Sequence, residues 1–134
     1  MSEFDETGAP KEELPSEVTD KLTADYGDFA AVKTAAGWVA MRCAKKVWYD
    51  RYHAMLYKEN ERAPAQEFIA KQCVIYANGV FAEASDEKSG SLQVRAALSA
   101  MLEKRPGIIG ACANCALEAT GVDSDATTKK YGAS

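Results

Sequence analysis

Apolar side chains recur at helical spacing along most of this chain. After Pro15, which is well placed as a first helical residue, Val18, Leu22 and Tyr26 repeat every four positions. This pattern predicts a short helix at 15–26. The same spacing predicts further helices at 64–84, 91–105 and 107–119.

The longest segment of this kind is 28–59, thirty-two residues with no proline and a single glycine, Gly37. It carries two adjacent apolar stripes, which indicates contact with more than one neighbouring helix. As one helix it would extend ~48 Å, whereas a compact domain of this length is roughly 36 Å across. We therefore expect either a bend near Gly37 or an end, 45–59, that projects beyond the bundle.

Two of the later helices differ in their expected packing. Helix 107–119 is rich in alanine and contains Gly110, so a neighbouring helix can approach it closely and bury it. Helix 91–105 is expected to bury its large apolar residues, namely Leu92, Leu98, Met101 and Leu102.

No alternating strand pattern, internal repeat or second core is evident. The sequence therefore predicts an all-α fold, an irregular bundle of about five helices with one long central helix and polar tails. We divide the chain into an acidic flexible N-terminal arm at 1–14, a single helical domain at 15–119 and a polar C-terminal tail at 120–134.

Composition is that of an ordinary soluble globular protein, with 134 residues, 47% apolar and 27% charged. No apolar run approaches the ~20 residues that span a bilayer, and the acidic start of the chain lacks the apolar core of a secretory signal. We expect an intracellular protein, either cytoplasmic or part of a virion assembled in the cytoplasm. The four cysteines are then expected to be thiols.

Charge is distributed unevenly. Residues 1–28 hold nine acidic residues and two lysines, a net charge of −7, whereas 29–134 have a net charge of +3. Two interpretations of the acidic arm remain open. It is either a solubilising tail, or an autoinhibitory segment that screens the basic end of helix 28–59 until a partner displaces it.

That basic end is where the chain concentrates groups that bind other molecules. Residues 42–58 contain five basic residues and one acidic residue, Asp50, interleaved with aromatic residues. Such a segment fits a solvated helix face, a protein contact, or a nucleic-acid or other polyanion contact, although a pI near 5.1 weighs against nucleic acid. The predicted partner-binding residues are Arg42, Lys45, Lys46, Trp48, Tyr49, Arg51, Tyr52 and Tyr57.

The sequence Cys112-Ala-Asn-Cys115 is a CxxC pattern, which occurs in redox and zinc sites. A redox pair belongs at a helix N-terminus after a strand, whereas this pair lies within a predicted helix. A zinc site would need two more ligands, and the remaining candidates, Cys43, Cys73 and His53, are scattered. Buried cysteine acting as a small apolar residue explains these positions best, so no catalytic residue, metal or cofactor is predicted.

The sequence thus favours a non-enzymatic helical adaptor or small structural subunit of a larger protein assembly, for which a virus particle is one setting. Protein partners or self-association would use the basic-aromatic end of helix 28–59 and the tails, with Trp48 or Tyr52 as anchors whose replacement by alanine weakens association by ~2 kcal/mol or more. The alternatives are a nucleic-acid or polyanion-binding protein with an acidic autoinhibitory arm, and a small enzyme or metal site at Cys112 and Cys115.

Overall fold

The chain forms both helices and a β-sheet, so the fold is mixed α/β and the prediction of an all-α helical bundle is wrong. The computed structural model describes residues 13–82, 89–122 and 128–131. Within these ranges the helices are α1 (Ser16–Tyr26), α2 (Lys46–His53), α3 (Arg62–Cys73), α4 (Ser89–Lys104) and α5 (Ile109–Thr120). The strands are β1 (Phe29–Thr34), β2 (Gly37–Met41), β3 (Val74–Ala77), β4 (Val80–Phe81) and β5 (Thr128–Tyr131). A π-helix, Ala54–Lys58, continues α2, and a short 3-10 helix, Pro106–Ile108, leads into α5.

The strands form one sheet in the order β4-β3-β2-β1-β5, and every neighbouring pair is antiparallel. β1 and β2 form a tight hairpin in which Ala30 lies opposite Met41. β5, from within the predicted C-terminal tail, pairs with the other edge of β1 and places Tyr131 opposite Phe29. The centre of the fold therefore joins segments from both ends of the chain.

The predicted helix 28–59 is wrong in its first half, which is the β1–β2 hairpin. Thr34 closes the turn, because its hydroxyl donates to the Gly37 carbonyl oxygen at 2.6 Å and accepts from the Ala36 N–H at 3.1 Å. The alanines of this segment favour a helix in isolation. Here strand pairing and burial outweigh that preference. The long central helix is replaced by a hairpin followed by α2 and the π-helix.

The predicted helix 64–84 is correct only for its first part. α3 ends at Cys73, and the chain then forms the β3–β4 hairpin. Its turn is Asn78-Gly79, with φ values of 48° and 89°. An Asn-Gly pair between two apolar runs favours a turn that needs positive φ at both positions, and this signal is present in the sequence.

The remaining helix predictions are confirmed by α1, α4 and α5. Val18 and Leu22 are buried in α1, as their spacing predicts. In α4, Leu98 and Met101 are buried, whereas the prediction for Leu92 is wrong because 63% of it is exposed. The alanine-rich α5 packs against α3 and against β1 and β2.

Helices cover both faces of the sheet. Consecutive residues of β1, β2 and β3 are buried, which requires cover on each side. Lys21 of α1 lies over the Phe81 ring, 5.3 Å from its centroid, and Phe81 faces Tyr76 on the same side of the sheet. α4 contacts β3 and β4, and α5 contacts β1, β2 and β5.

Candidate functional site on the second helix

The loop between β2 and α2 is held at two points. The Arg42 N–H donates to the carbonyl oxygen of Cys73 at 2.9 Å. The Ala44 N–H donates to the Thr120 hydroxyl at 3.0 Å, which ties the loop to the end of α5. Ala44 is buried, whereas Cys43 is exposed and Arg42 is partly exposed. Lys45, the last residue before α2, is exposed.

Two cationic side chains of this region lie over one indole ring. The guanidinium carbon of Arg42 is 5.6 Å from the centroid of the Trp48 ring, and the Lys45 ammonium nitrogen is 5.2 Å from it. Both distances fall within the range of a cation–π interaction. Trp48 is partly exposed, so this cluster combines positive charge with accessible aromatic surface.

Three aromatic side chains form a second cluster, which we call the aromatic ladder: Tyr49, His53 and Tyr57. The Tyr49 and His53 rings meet edge to face with centroids 4.5 Å apart. The His53 and Tyr57 rings are stacked, with centroids 5.2 Å apart and planes inclined by 23°. Residues four apart lie on the same face of a helix, which explains the order of the rings. Tyr57, at the end, is 72% exposed.

The last ring of the ladder sits on the π-helix rather than on regular α-helix. The Glu59 N–H donates to the carbonyl oxygen of Ala54 at 3.0 Å, five residues back. The π-helix ends at Lys58, and Asn60, two residues later, has a φ of 55°. Short π-helical segments are rare and occur frequently at functional sites. This one widens the helix where Tyr57 and Lys58 are exposed.

Tyr52, one of the predicted partner-binding residues, lies on the opposite side of α2 from solvent. It is 7% exposed, and its ring packs edge to face on His53 at 5.7 Å. Burial raises the pKa of its phenol above the usual value of 10.0. Tyr52 is therefore part of the core and contacts the ladder through His53.

Two of the predicted basic residues are engaged in ion pairs on the surface. Lys46 pairs with Asp50 at 2.7 Å, and Arg51 pairs with Glu59 at 2.6 Å. Such exposed pairs contribute little to stability. They do lower the local excess of positive charge. We define the basic-aromatic surface as the exposed or partly exposed residues Arg42, Lys45, Lys46, Trp48, Tyr49, Arg51, His53 and Tyr57.

The CxxC cysteines are not accessible. Cys112 and Cys115 are both fully buried. Burial raises the pKa of the Cys112 thiol to about 12. The pKa of Cys115 is raised well above its usual value, chiefly by burial and then by the neighbouring Cys112 and Glu118. A thiol that stays protonated and closed to solvent cannot act as a nucleophile at neutral pH.

Other candidate sites are weaker. Among the residues that the structure describes, no group of three or more His, Cys, Asp or Glu side chains is arranged to hold a metal ion. A cavity of about 390 Å³ is lined by Asp25, Tyr26, Asp28, Arg42 and Cys43. A second cavity, of about 430 Å³, lies between α3 and α4 and is lined by Pro64, Glu67, Phe68, Lys71, Gln72 and Arg95.

Sequence reasoning identified most of the basic-aromatic surface but missed parts of it. His53 lies at the centre of the ladder, and the spacing of Tyr49, His53 and Tyr57 was a signal for it. Val47, 68% exposed, gave no signal, because its exposure depends on which face of α2 packs on α3. The interpretation of the cysteines as buried apolar residues is wrong for Cys43, which lies in the loop before α2 and is exposed, whereas Cys73, Cys112 and Cys115 are buried.

None of the helices in the described ranges is long and apolar enough to cross a membrane. The proposed autoinhibitory contact of the acidic arm falls largely on residues 1–12, which lie outside the described residues.

Comparison of the chain with protein-family models, with curated proteins and with solved structures finds no match in any of the three.

Proposed function

We propose that this chain is a non-enzymatic adaptor, a small subunit that binds other proteins through the basic-aromatic surface of α2. The observation that carries this proposal is the exposed end of the aromatic ladder, where Tyr57 is 72% exposed yet stacked on His53. Stacking fixes the rings before binding, so little conformational freedom is lost when a partner covers them. Tyr, Trp and Arg are also the residue types that dominate the energetics of protein interfaces.

The position of the surface supports the same conclusion. α2 packs on α3. α2 carries Val47 and the π-helix that continues it carries Tyr57, two of the most exposed large apolar residues in the described ranges. Exposed apolar groups beside a polar rim are typical of protein contact sites. Arg42 and Lys45 beside Trp48 supply that rim at one end of α2.

A protein partner is favoured over a nucleic acid or another polyanion. Lys46 and Arg51 already have carboxylate partners within the chain. Sequence-independent binding to a polyanion relies on several lysine and arginine side chains that neutralise phosphates. Binding by this surface should therefore depend more on its aromatic residues than on its total charge.

We also propose an intracellular setting. The four cysteines of the chain are all free in the structure, and free thiols are typical of proteins kept in a reducing compartment.

The test is site-specific photo-crosslinking with benzoylphenylalanine at position 57, in extracts of the cells that express the protein. The matched control carries the same photo-reactive group at position 103 on α4, which is exposed and lies outside α2. We expect a discrete cross-linked protein at 57 that is absent at 103. A product of the same yield at both positions would overturn the proposal.

The cross-linked protein is then purified and its affinity for the variants is measured. Tyr57→Ala is expected to raise the Kd at least ~30-fold, because an aromatic anchor contributes ~2 kcal/mol or more. Leu92→Ala, which removes another exposed large apolar residue, is the control and should leave the Kd unchanged. Equal affinities for the wild type and Tyr57→Ala would contradict the assignment of the surface.

A further inference from the structure

The outer surface of α1 is acidic. Residues 13–28 contain five acidic side chains and one basic side chain, Lys21, a net charge of −4. All five carboxylates are exposed. Glu17 and Asp20 lie three residues apart on the side of α1 opposite the buried Val18 and Leu22. Negative charge is therefore fixed on a helix that the core holds in place.

The basic-aromatic surface has a charge of the same size and opposite sign. Residues 42–58 contain five basic side chains and Asp50, a net charge of +4 with His53 neutral. Lys45, Lys46, Arg51 and Lys58 are exposed, and Arg42 is partly exposed. Glu59, directly after this segment, pairs with Arg51, and the net charge is still +3 when Glu59 is counted.

The two surfaces meet at one corner of the molecule. Asp25 and Asp28, at and beyond the end of α1, line the same cavity of about 390 Å³ as Arg42, which begins the basic segment. Asp28 directly precedes β1 and Arg42 directly follows β2, and these strands are neighbours in the sheet, so the acidic and basic surfaces lie side by side.

We propose that the occupant of the basic-aromatic surface is a second copy of this chain, bound through its acidic α1 surface. A two-fold axis through the corner that the two surfaces share would place the acidic surface of each copy against the basic surface of the other. Both contacts then form in the same dimer. Closed two-fold dimers are by far the commonest oligomers of soluble proteins. This inference rests on the proposed function, since it names the partner of the same surface.

In this contact, charge complementarity sets how the two copies are aligned, and burial of the exposed apolar groups supplies the remaining free energy of association. Interactions between exposed charges are individually weak and are screened by salt. Val47 and Tyr57 offer apolar area that a second copy can cover. We therefore expect a dimer that forms faster and more tightly at low salt than at high salt.

The experiment is a charge swap followed by mixing, with mass measured by light scattering coupled to size-exclusion chromatography. One variant brings the net charge of residues 13–28 from −4 to zero with Glu17→Lys and Asp20→Lys, and the other brings that of residues 42–58 from +4 to zero with Lys45→Glu and Lys46→Glu. In each variant alone a charged surface would face a neutral one in both contacts, so its self-association should weaken at least ~10-fold, whereas the mixture keeps one contact between a surface of +4 and a surface of −4. An equimolar mixture should form a dimer of twice the 14.5 kDa chain mass.

Matched controls reverse the same number of charges elsewhere. Glu67→Lys with Glu103→Lys, and Lys104→Glu with Arg105→Glu, change exposed residues of α3 and α4 and of the turn that follows α4. These variants should dimerise like the wild type. Recovery of the dimer on mixing also shows that the two test variants are folded, and Lys45→Gln with Lys46→Gln gives a milder version if charge reversal disrupts the fold.

A wild-type chain that stays monomeric at low salt and high concentration would overturn the dimer and leave the proposed function to the cross-linking test. Failure of the swapped variants to pair would overturn the assignment of the surfaces. Assemblies larger than a dimer would exclude the two-fold arrangement. A monomer that elutes with excess absorbance at 260 nm would overturn self-association in favour of a polyanion.

Discussion

The imidazole of His53 lies flat against the phenol of Tyr57, with ring centroids 5.2 Å apart and planes inclined by 23°. Tyr52, one position before His53, packs edge to face on the same imidazole, with ring centroids 5.7 Å apart. His53 thus contacts both a buried tyrosine and an exposed one, and the two tyrosines should differ sharply in what they contribute.

Alanine substitution should separate a core role from a surface role. Tyr52 is 7% exposed and Tyr57 is 72% exposed. Tyr52→Ala removes a buried aromatic ring and should lower the free energy of unfolding by ~3–5 kcal/mol. Tyr57→Ala loses only a stacked surface ring and should cost ~1 kcal/mol or less. Urea unfolding followed by circular dichroism measures both, and equal losses would contradict the burial of Tyr52.

Thiol accessibility should distinguish one cysteine from the other three. Cys43 is exposed, whereas Cys73, Cys112 and Cys115 are buried. We expect Ellman's reagent at pH 8 to modify about one thiol rapidly in the native protein and all four in denaturant. In Cys43→Ser the rapid reaction should vanish. Rapid modification that persists in this variant would show that a buried thiol is open to solvent.

Buried thiols should make the fold sensitive to alkaline pH. Burial raises the pKa of Cys73 and of Cys112 to about 12, whereas an unfolded thiol ionises near 8.5. Above that pH the unfolded chain loses protons that the folded chain retains, so the free energy of unfolding falls as pH rises from ~8.5 to ~12. Each such thiol contributes up to ~1.4 kcal/mol per pH unit within this window.

The control for this effect is Cys112→Ala. Other groups also titrate at high pH, so the quantity to compare is the slope of unfolding free energy against pH in the variant and in the wild type. The slope should be shallower in the variant. Parallel slopes would show that Cys112 is not the source of the sensitivity.

Position 79, in the β3–β4 turn, should require glycine because of its backbone conformation. Gly79 has a φ of 89°, and a Cβ placed there would meet no atom within 4 Å. Gly79→Ala should therefore cost ~1 kcal/mol or more from backbone conformation alone.

Gly110 in α5 provides the matched comparison. A Cβ there also meets no atom within 4 Å, but its φ lies outside the left-handed region. Gly110→Ala should raise stability by up to ~1 kcal/mol, because alanine favours the helix interior. The two changes are chemically identical, so effects of the same sign on the urea midpoint would contradict the backbone assignment.

Some of the fold and of the site could be predicted from the sequence because the determinants are local. The four-residue spacing of Val18 and Leu22 places both on the buried side of α1. Pro106 lies between the end of α4 and the start of α5, where the sequence predicts a break between two helices. The aromatic ladder follows from the same spacing on α2. The opposite charges of residues 1–28 and of 42–58 are properties of composition alone.

The strands could not be predicted in this way, because their stability depends on partners far away in the chain. β1 pairs with β5 at positions such as Ala30 and Lys130, and β2 pairs with β3. Helices cover both faces of the sheet, so β1 and β2 are buried at nearly every position and lack the alternation that marks a strand. A continuous apolar run suits either a buried strand or a buried helix, and only the packed structure decided between them.

The sequence by itself determined the local helices, the residue types of the basic-aromatic surface and the opposite charges of the two segments. Tertiary structure decided which of those residues face solvent: Tyr52 is buried, and Tyr57 and Val47 are exposed. It also placed Asp25 and Asp28 beside Arg42. The physical reason is that spacing fixes which side chains share a helix face, whereas burial and proximity depend on contacts between segments distant in sequence.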